Sequence, residues 1–189
     1  MLGLPGKIIL YDTEYTSWEG AQARKWSGPN EYKEIVEIGA VLVETEKFSE
    51  LGEFLVHVKP VKNPVLSKYF MDLTGISQEI VDREGIDYPA AIRRFAEWCG
   101  GYDAYSYGYD YAVLEENAGL LKIPFSLDAK HFFNIKDVFK KFGIPADDYI
   151  SSTIVRAFGI EPVRRGHDAA NDARTIVDGL RALSERTQK

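Results

Sequence analysis

Asp12 and Glu14 stand two residues apart at the end of an apolar, β-branched stretch, Lys7-Ile8-Ile9-Leu10-Tyr11-Asp12-Thr13-Glu14-Tyr15. Side chains on a strand alternate faces, so Ile8, Leu10, Asp12 and Glu14 share one side while Ile9, Tyr11, Thr13 and Tyr15 share the other. Two carboxylates held side by side in a protein interior resist ionisation unless a cation compensates or the strand end opens into solvent. A divalent metal is the natural compensator; a strand that emerges into water at Asp12 is the simpler alternative. Three further residues have matching chemistry. Asp110 falls where a short strand, 104–108, runs into a helix carrying Val113, Leu114, Asn117, Leu120 and Leu121, a junction where an aspartate most often caps the helix. Asp172 lies three residues after Ala169 and four before Ile176 on the last helix, so it flanks the apolar face. His167 precedes Asp172 by five residues, roughly 140° around an ideal helix. The two converge only if His167 belongs to a loop before the first turn, and Arg164-Arg165-Gly166 supplies such a loop.

The elements that must position these groups follow from periodicity and punctuation. Residues 34–44 and 53–59 read as two more strands, joined by a charged turn ending in Leu51-Gly52. His57 falls in the third strand as a structural histidine. Two short helices broken at Gly75 are expected over 64–82, then an amphipathic helix over 88–99 capped by Asp87. A last strand around 131–135 leads to a helix through Val138, Phe139 and Phe142, stopped by Gly143 and Pro145. A short helix follows over 152–158. The final helix begins near Asp168 and runs to about Glu185, with Ala169, Ala173, Ile176, Val177, Leu180 and Leu183 as its buried stripe. Three strands, helices, a strand, a helix, a strand and helices make an α/β domain. Its sheet is mixed, an antiparallel hairpin portion joined to parallel strands, with helices on both faces.

The chain's 189 residues, 45% of them apolar, suffice for one core, so a single domain over 1–189 is expected. The one cysteine, Cys99, excludes an internal disulfide and is expected to be a buried thiol. No uncharged apolar run approaches membrane-spanning length and the N-terminus lacks the pattern of a secretory signal, which points to a cytoplasmic protein and no membrane partner. A net charge of −6 argues against a general phosphate-backbone binder. It is compatible with a nucleic-acid enzyme whose carboxylates hold divalent ions, because the ions then present the positive charge. The connection from Thr16 to Tyr32 is long and aperiodic, with Trp18, Trp26 and the basic pair Arg24-Lys25. Its tryptophans either stack on bases or pack the loop back onto the domain.

Taken in order, four motifs resemble the DEDDh 3'-5' exonucleases of the proofreading-exonuclease, RNase H-like superfamily: Tyr11-Asp12-Thr13-Glu14, Leu73-Thr74-Gly75-Ile76, Tyr107-Gly108-Tyr109-Asp110 and His167-Asp168-Ala169-Ala170-Asn171-Asp172-Ala173. Residues 34–40 and 133–139 further resemble the branch containing KapD-like and enhanced-RNAi exonucleases. The resemblance spans Ile8 to about Leu183 and implies an RNase H-like five-stranded sheet. It also implies a two-metal mechanism with Mg²⁺ or Mn²⁺. Asp12 would bridge both ions, Glu14 and Asp172 would complete the nucleophile-side site, and Asp110 would hold the other ion. His167 would be the general base, a task suited to a pKa near 6.5. The partner implied is the 3' end of single-stranded RNA or DNA, shortened with release of nucleoside 5'-monophosphates. Leu73, Thr74 and Ile76 would contact the terminal nucleotide, with the backbone of Thr13 and Glu14 near its sugar. Leu73 and Ile76 read equally well as core residues, and Arg164 and Arg165 as either phosphate contacts or a solvated turn. A domain of the same fold that binds nucleic acid or protein without cutting it is the alternative. The complete set of four acids and a histidine weighs against it, since binding alone needs no histidine over paired carboxylates.

Overall fold

β1 (Lys7–Tyr15) is the centre of a five-stranded sheet in the order β3-β2-β1-β4-β5. The computed structural model describes residues 2–188. β2 (Ile35–Glu44) and β3 (Ser49–His57) run antiparallel in a hairpin beside β1. The three-residue strands β4 (Ala104–Ser106) and β5 (Phe132–Asn134) add in parallel on its other side. The sheet is mixed, as the element order requires.

Alternation along β1 feeds two cores, one on each face of the sheet. Ile8 and Leu10, with Val41 and Val43 of β2, pack under α5 (Lys136–Lys141), a 3₁₀ helix over Ser151–Phe158, and α6 (Ala169–Thr187), through Phe139, Ile154, Ile176 and Leu180. Ile9 and Tyr11, with Ile38 and Ala40, pack against Phe95 of α3 (Tyr88–Cys99) and Val113 and Leu114 of α4 (Asp110–Leu121). Each fully buried Ile or Leu of these layers contributes roughly 1.5–3 kcal/mol. Between the hairpin and α3 lie α1 (Lys68–Thr74) and α2 (Gln78–Glu84), capped by Ser67 and Ser77. The glycine between them, Gly75, has φ +80°, the left-handed turn that ends α1 at little steric cost. Asp87 caps α3 as expected, accepting from the Ala90 N–H.

The hairpin departs from expectation. The turn lies at 45–48, and Leu51-Gly52 belong to β3. Glu44 organises the turn: its carboxylate accepts N–H bonds from Glu46, Lys47 and Ser49, while Phe48 turns inward at 2% exposure. β3 therefore starts at Ser49 and ends at His57. His131 sits in a 3₁₀ turn before β5, and the element over 151–158 is 3₁₀ throughout. Among the described residues, no helix is long and apolar enough to cross a membrane. Cys99 is buried, and burial pushes its thiol up to about 12.

Candidate active site

β1 carries Asp12 and Glu14 beneath the N-terminus of α6, where each is 8% exposed. Gly39 of β2 makes that placement possible. It pairs with Asp12 in the β1–β2 register, and a Cβ there would lie 2.3 Å from the Ala170 nitrogen and 2.6 Å from the Ala169 carbonyl carbon. Only a residue without a side chain lets the first turn of α6 sit on the strand beside Asp12.

That first turn delivers Asp172, 2% exposed. Its Oδ2 accepts from the Ser151 hydroxyl at 3.2 Å and the His167 N–H at 3.3 Å, while its Oδ1 is buried with no partner. His167 belongs to the loop before α6, with φ +61°, and Asp168 caps the helix by accepting from Asn171. Carboxylate oxygens of Glu14 and Asp172 and a ring nitrogen of His167 all lie within 4.8 Å of one another. The convergence that helical geometry forbids is reached because His167 lies outside the helix.

Asp110 arrives from the opposite face of the sheet. It is the first residue of α4, with Tyr109 at the capping position and no side-chain cap, so the expected N-cap role is not the one it plays. Its Oδ1 accepts the Thr13 hydroxyl at 2.7 Å, drawing the carboxylate to the end of β1, and the positive end of the α4 dipole favours a negative charge there.

Among the described residues, no lysine or arginine pairs with Asp12, Glu14, Asp110 or Asp172. The electrostatics record the cost. Burial, then neighbouring carboxylates, push Asp12 and Glu14 well above the usual carboxylate range. Burial raises Asp110 against the pull of its hydrogen bond from Thr13, and lifts Asp172 to about 7. Buried acids without cationic partners and an orphaned Asp172 Oδ1 are what oxygen-coordinated divalent ions require. The residues fit the ions that the resemblance implies.

A cleft of about 440 Å³ opens over these groups. Thr13 and Leu73 line it. Thr74 and Ile76, grouped with Leu73 as nucleotide contacts, lie behind it: Thr74 is 4% exposed and ties off α1 by donating to the Phe70 carbonyl, and Ile76, at 5%, packs on Val36, Phe70 and Val81. Neither arginine of the 164–165 pair faces the acids. Arg164 pairs with Asp178, and Arg165 donates to the Asp72 and Leu73 carbonyls at the end of α1. Trp18 and Trp26 are both half-buried; Trp26 packs on Tyr15 and donates its indole N–H to the Thr16 carbonyl, yet still lines the cleft.

Ser151 and Glu37 hold the site in place, and the sequence reading assigned a role to neither. Ser151 braces Asp172 from the 3₁₀ helix and has no local signal, since its partner is 21 residues away. Glu37 lies beside Glu14 in the β1–β2 register. One oxygen accepts the Ala169 N–H at 3.1 Å and the other meets His57 Nε2 at 3.0 Å, so it pins the start of α6. Its alternation with Val41 and Val43 was the available clue. The bond to Glu37 raises the His57 pKa. A raised pKa contributes stability that is full below the unfolded value, about 6.5, and fades as pH rises through the folded value. Denaturant titrations of the metal-free chain should therefore show His57→Gln costing about 1.5 kcal/mol at pH 6 and distinctly less at pH 9. An equal cost at both pH values would mean that His57 is uncharged in the fold.

Comparison with known proteins agrees with this geometry. The Exonuclease (RNase T) family model matches residues 9–180. ERI1 exoribonuclease 2 of Homo sapiens is 34% identical over 91 residues, 48% of this chain and 12% of that protein. The 3'-5' exonuclease Snipper of Drosophila melanogaster is 37% identical over 91 residues, 48% and 31%. The 3'-5' exoribonuclease 1 of Rattus norvegicus is 25% identical over 182 residues, 89% and 50%. This chain thus spans half or less of each of these relatives. Among solved structures, the nuclease domain of 3'hExo, a DEDDh family member bound to rAMP, superposes with a TM-score of 0.79 at 24% identity, covering 95% of this chain and 92% of that one. Exonuclease I of E. coli with a dA16 oligonucleotide gives 0.67 at 15% identity, covering 96% and 41%. With the match extending over nearly all of its length and the four acids and histidine gathered at one cleft, the chain belongs to the exonuclease family and has the fold of its DEDDh 3'-5' members.

Proposed function

We propose that this chain is a single-domain, divalent-metal-dependent 3'-5' exonuclease that releases nucleoside 5'-monophosphates one at a time from single-stranded nucleic acid, RNA in preference to DNA. One observation carries the reading: four buried carboxylates from three separate elements converge with no lysine or arginine partner among the described residues, beside a half-buried histidine. The preference for RNA is supported by relatives named as exoribonucleases and by the rAMP in a structural neighbour.

Asp12, Glu14, Asp110 and Asp172 would hold Mg²⁺ or Mn²⁺. Bound there, two such ions supply charge neutralisation on the phosphoryl oxygens and acidify water. His167 takes a proton from the attacking water at a ring nitrogen. Burial, then the neighbouring Arg165, lowers its pKa, so the imidazole is neutral and able to accept at neutral pH. The water oxygen joins phosphorus, the bond to the 3'-oxygen of the preceding nucleotide breaks, and that oxygen takes a proton from solvent to leave as a hydroxyl, while the protonated imidazole returns its own proton to solvent. Asp172, accepting from the His167 backbone N–H, holds the base beside the acids, while Leu73 and the backbone at Thr13 and Glu14 face the terminal nucleotide.

The test is a time course on matched 5'-labelled single-stranded RNA and DNA with Mg²⁺, Mn²⁺ or EDTA. The expected result is a metal-dependent ladder shortening from the 3' end, faster on RNA and stopped by a 3' block. His167→Ala should slow it by about 10²–10⁴-fold while keeping the melting temperature and its rise with Mn²⁺. An unchanged rate would remove His167 from the chemistry, and cutting of 3'-blocked strands would make the protein an endonuclease.

A further inference from the structure

Beside the catalytic cleft lies a second groove, of about 420 Å³, and the two share Trp26 and Lys33 as a common wall. The wall belongs to the long connection after β1. Trp26 is anchored by its indole bond to Thr16 and by the Tyr15 ring, centroids 5.5 Å apart. Lys33 rests with its ammonium 5.1 Å from the Trp26 ring centroid. Its acidic neighbour is Glu116, at 3.8 Å and more than half exposed, a pairing worth little in water. Past this wall the groove continues along Lys25, Tyr32 and Leu120, and its other acid, Glu31, is already neutralised by Arg24. Lysines beside exposed aromatic surface are the chemistry of a single-strand track, on a protein otherwise acidic.

We propose that this groove seats the nucleotide immediately upstream of the scissile bond, its base along Trp26 and Tyr32 and its backbone phosphate on Lys33. The inference rests on the exonuclease reading above and adds a subsite to it. An exonuclease must seat the terminal nucleotide at its acids and let the remaining strand leave. On this side the cleft runs on into a groove of nearly its own volume. A lysine already held over an aromatic ring loses little further freedom when it binds a phosphate, so Lys33 is preorganised for the contact.

Lys33→Gln and Trp26→Leu test the subsite on two substrates with Mn²⁺: a single-stranded decanucleotide, and the p-nitrophenyl ester of a nucleoside 5'-monophosphate, which has no upstream nucleotide. The ratio of kcat/KM on the oligonucleotide to that on the ester should fall about tenfold in each variant, chiefly through KM. A ratio unchanged in Lys33→Gln would overturn the subsite, and that variant keeps the test decisive if Trp26→Leu fails to fold. If the unmodified chain cleaves neither substrate, the exonuclease reading fails, and binding decides the groove by itself. Fluorescence anisotropy of a labelled decanucleotide in EDTA should show Lys33→Gln weakening affinity about tenfold and lowering the salt slope by about one. Equal affinity and slope would overturn it.

Discussion

Asp12→Asn should make the metal-free protein more stable while lowering turnover by at least about 10³-fold, because about 4 kcal/mol or more of transition-state charge stabilisation is lost with the ion site. The stability gain follows from the same geometry. Asp12 is buried among Asp110, Asp172 and Glu14, and burial followed by those three charges raises its pKa well above the usual range. A carboxylate raised in the folded state contributes stability below its unfolded pKa, near 3.9, and loses it as pH rises through the folded value. At pH 8 the metal-free fold therefore bears the cost of a buried carboxyl whose ionisation its surroundings oppose, a cost that asparagine removes at nearly constant shape. Relief of about 1–2 kcal/mol corresponds to roughly 2–8 °C for a chain of this size. Thermal melts at pH 5 and pH 8, with and without Mn²⁺, check it. The gain should be larger at pH 8, and Mn²⁺ should raise the unmodified protein far more than the variant. A variant less stable than the parent at pH 8, with an undiminished Mn²⁺ shift, would show that Asp12 neither repels its neighbours nor holds metal.

Gly39→Ala is the second large effect, and it acts on position. The added methyl overlaps the backbone of Ala169 and Ala170, so α6 must lift from the sheet or β2 must bow. Overpacking against backbone costs about 3 kcal/mol. The same shift moves Asp172 and His167 away from Asp12 and Glu14, and a displacement of about 1 Å can reduce turnover roughly 100-fold. The rate should be measured at a temperature where circular dichroism shows the variant folded. Gly52→Ala in the neighbouring strand is the control, since nothing lies within 4 Å of a Cβ there. It should stay within about 0.5 kcal/mol of the parent. Wild-type rate and stability in Gly39→Ala would mean that α6 is not seated on β2 as described.

Local pattern was enough for the direction of several side chains. Alternation through Ile8, Leu10, Asp12 and Glu14 puts both acids on one face, and the stripe from Ala169 to Leu183 turns Asp172 toward the core; β1 and α6 form as that periodicity requires. Where long-range contacts choose among local possibilities, the pattern was silent or misleading. Asp110 reads as a cap, but a hydroxyl 97 residues earlier takes it instead. Ile76 reads equally as a nucleotide contact and a core residue, and its packing on Val36 and Val81 decides for the core.

The sequence by itself determined that two carboxylates on one strand and a third on the last helix lean inward, and that His167 could join them only from a loop. Periods of 2 and 3.6 residues are set by backbone geometry and need no knowledge of what lies across the fold. The tertiary structure alone decided that Gly39 admits α6, that Glu37 pins its first residue across 132 positions, that Ser151 braces Asp172, and that Trp26 and Lys33 join two grooves. These are close approaches between segments distant in the chain, and their energies depend on register and crossing distance, quantities that no local window of residues contains.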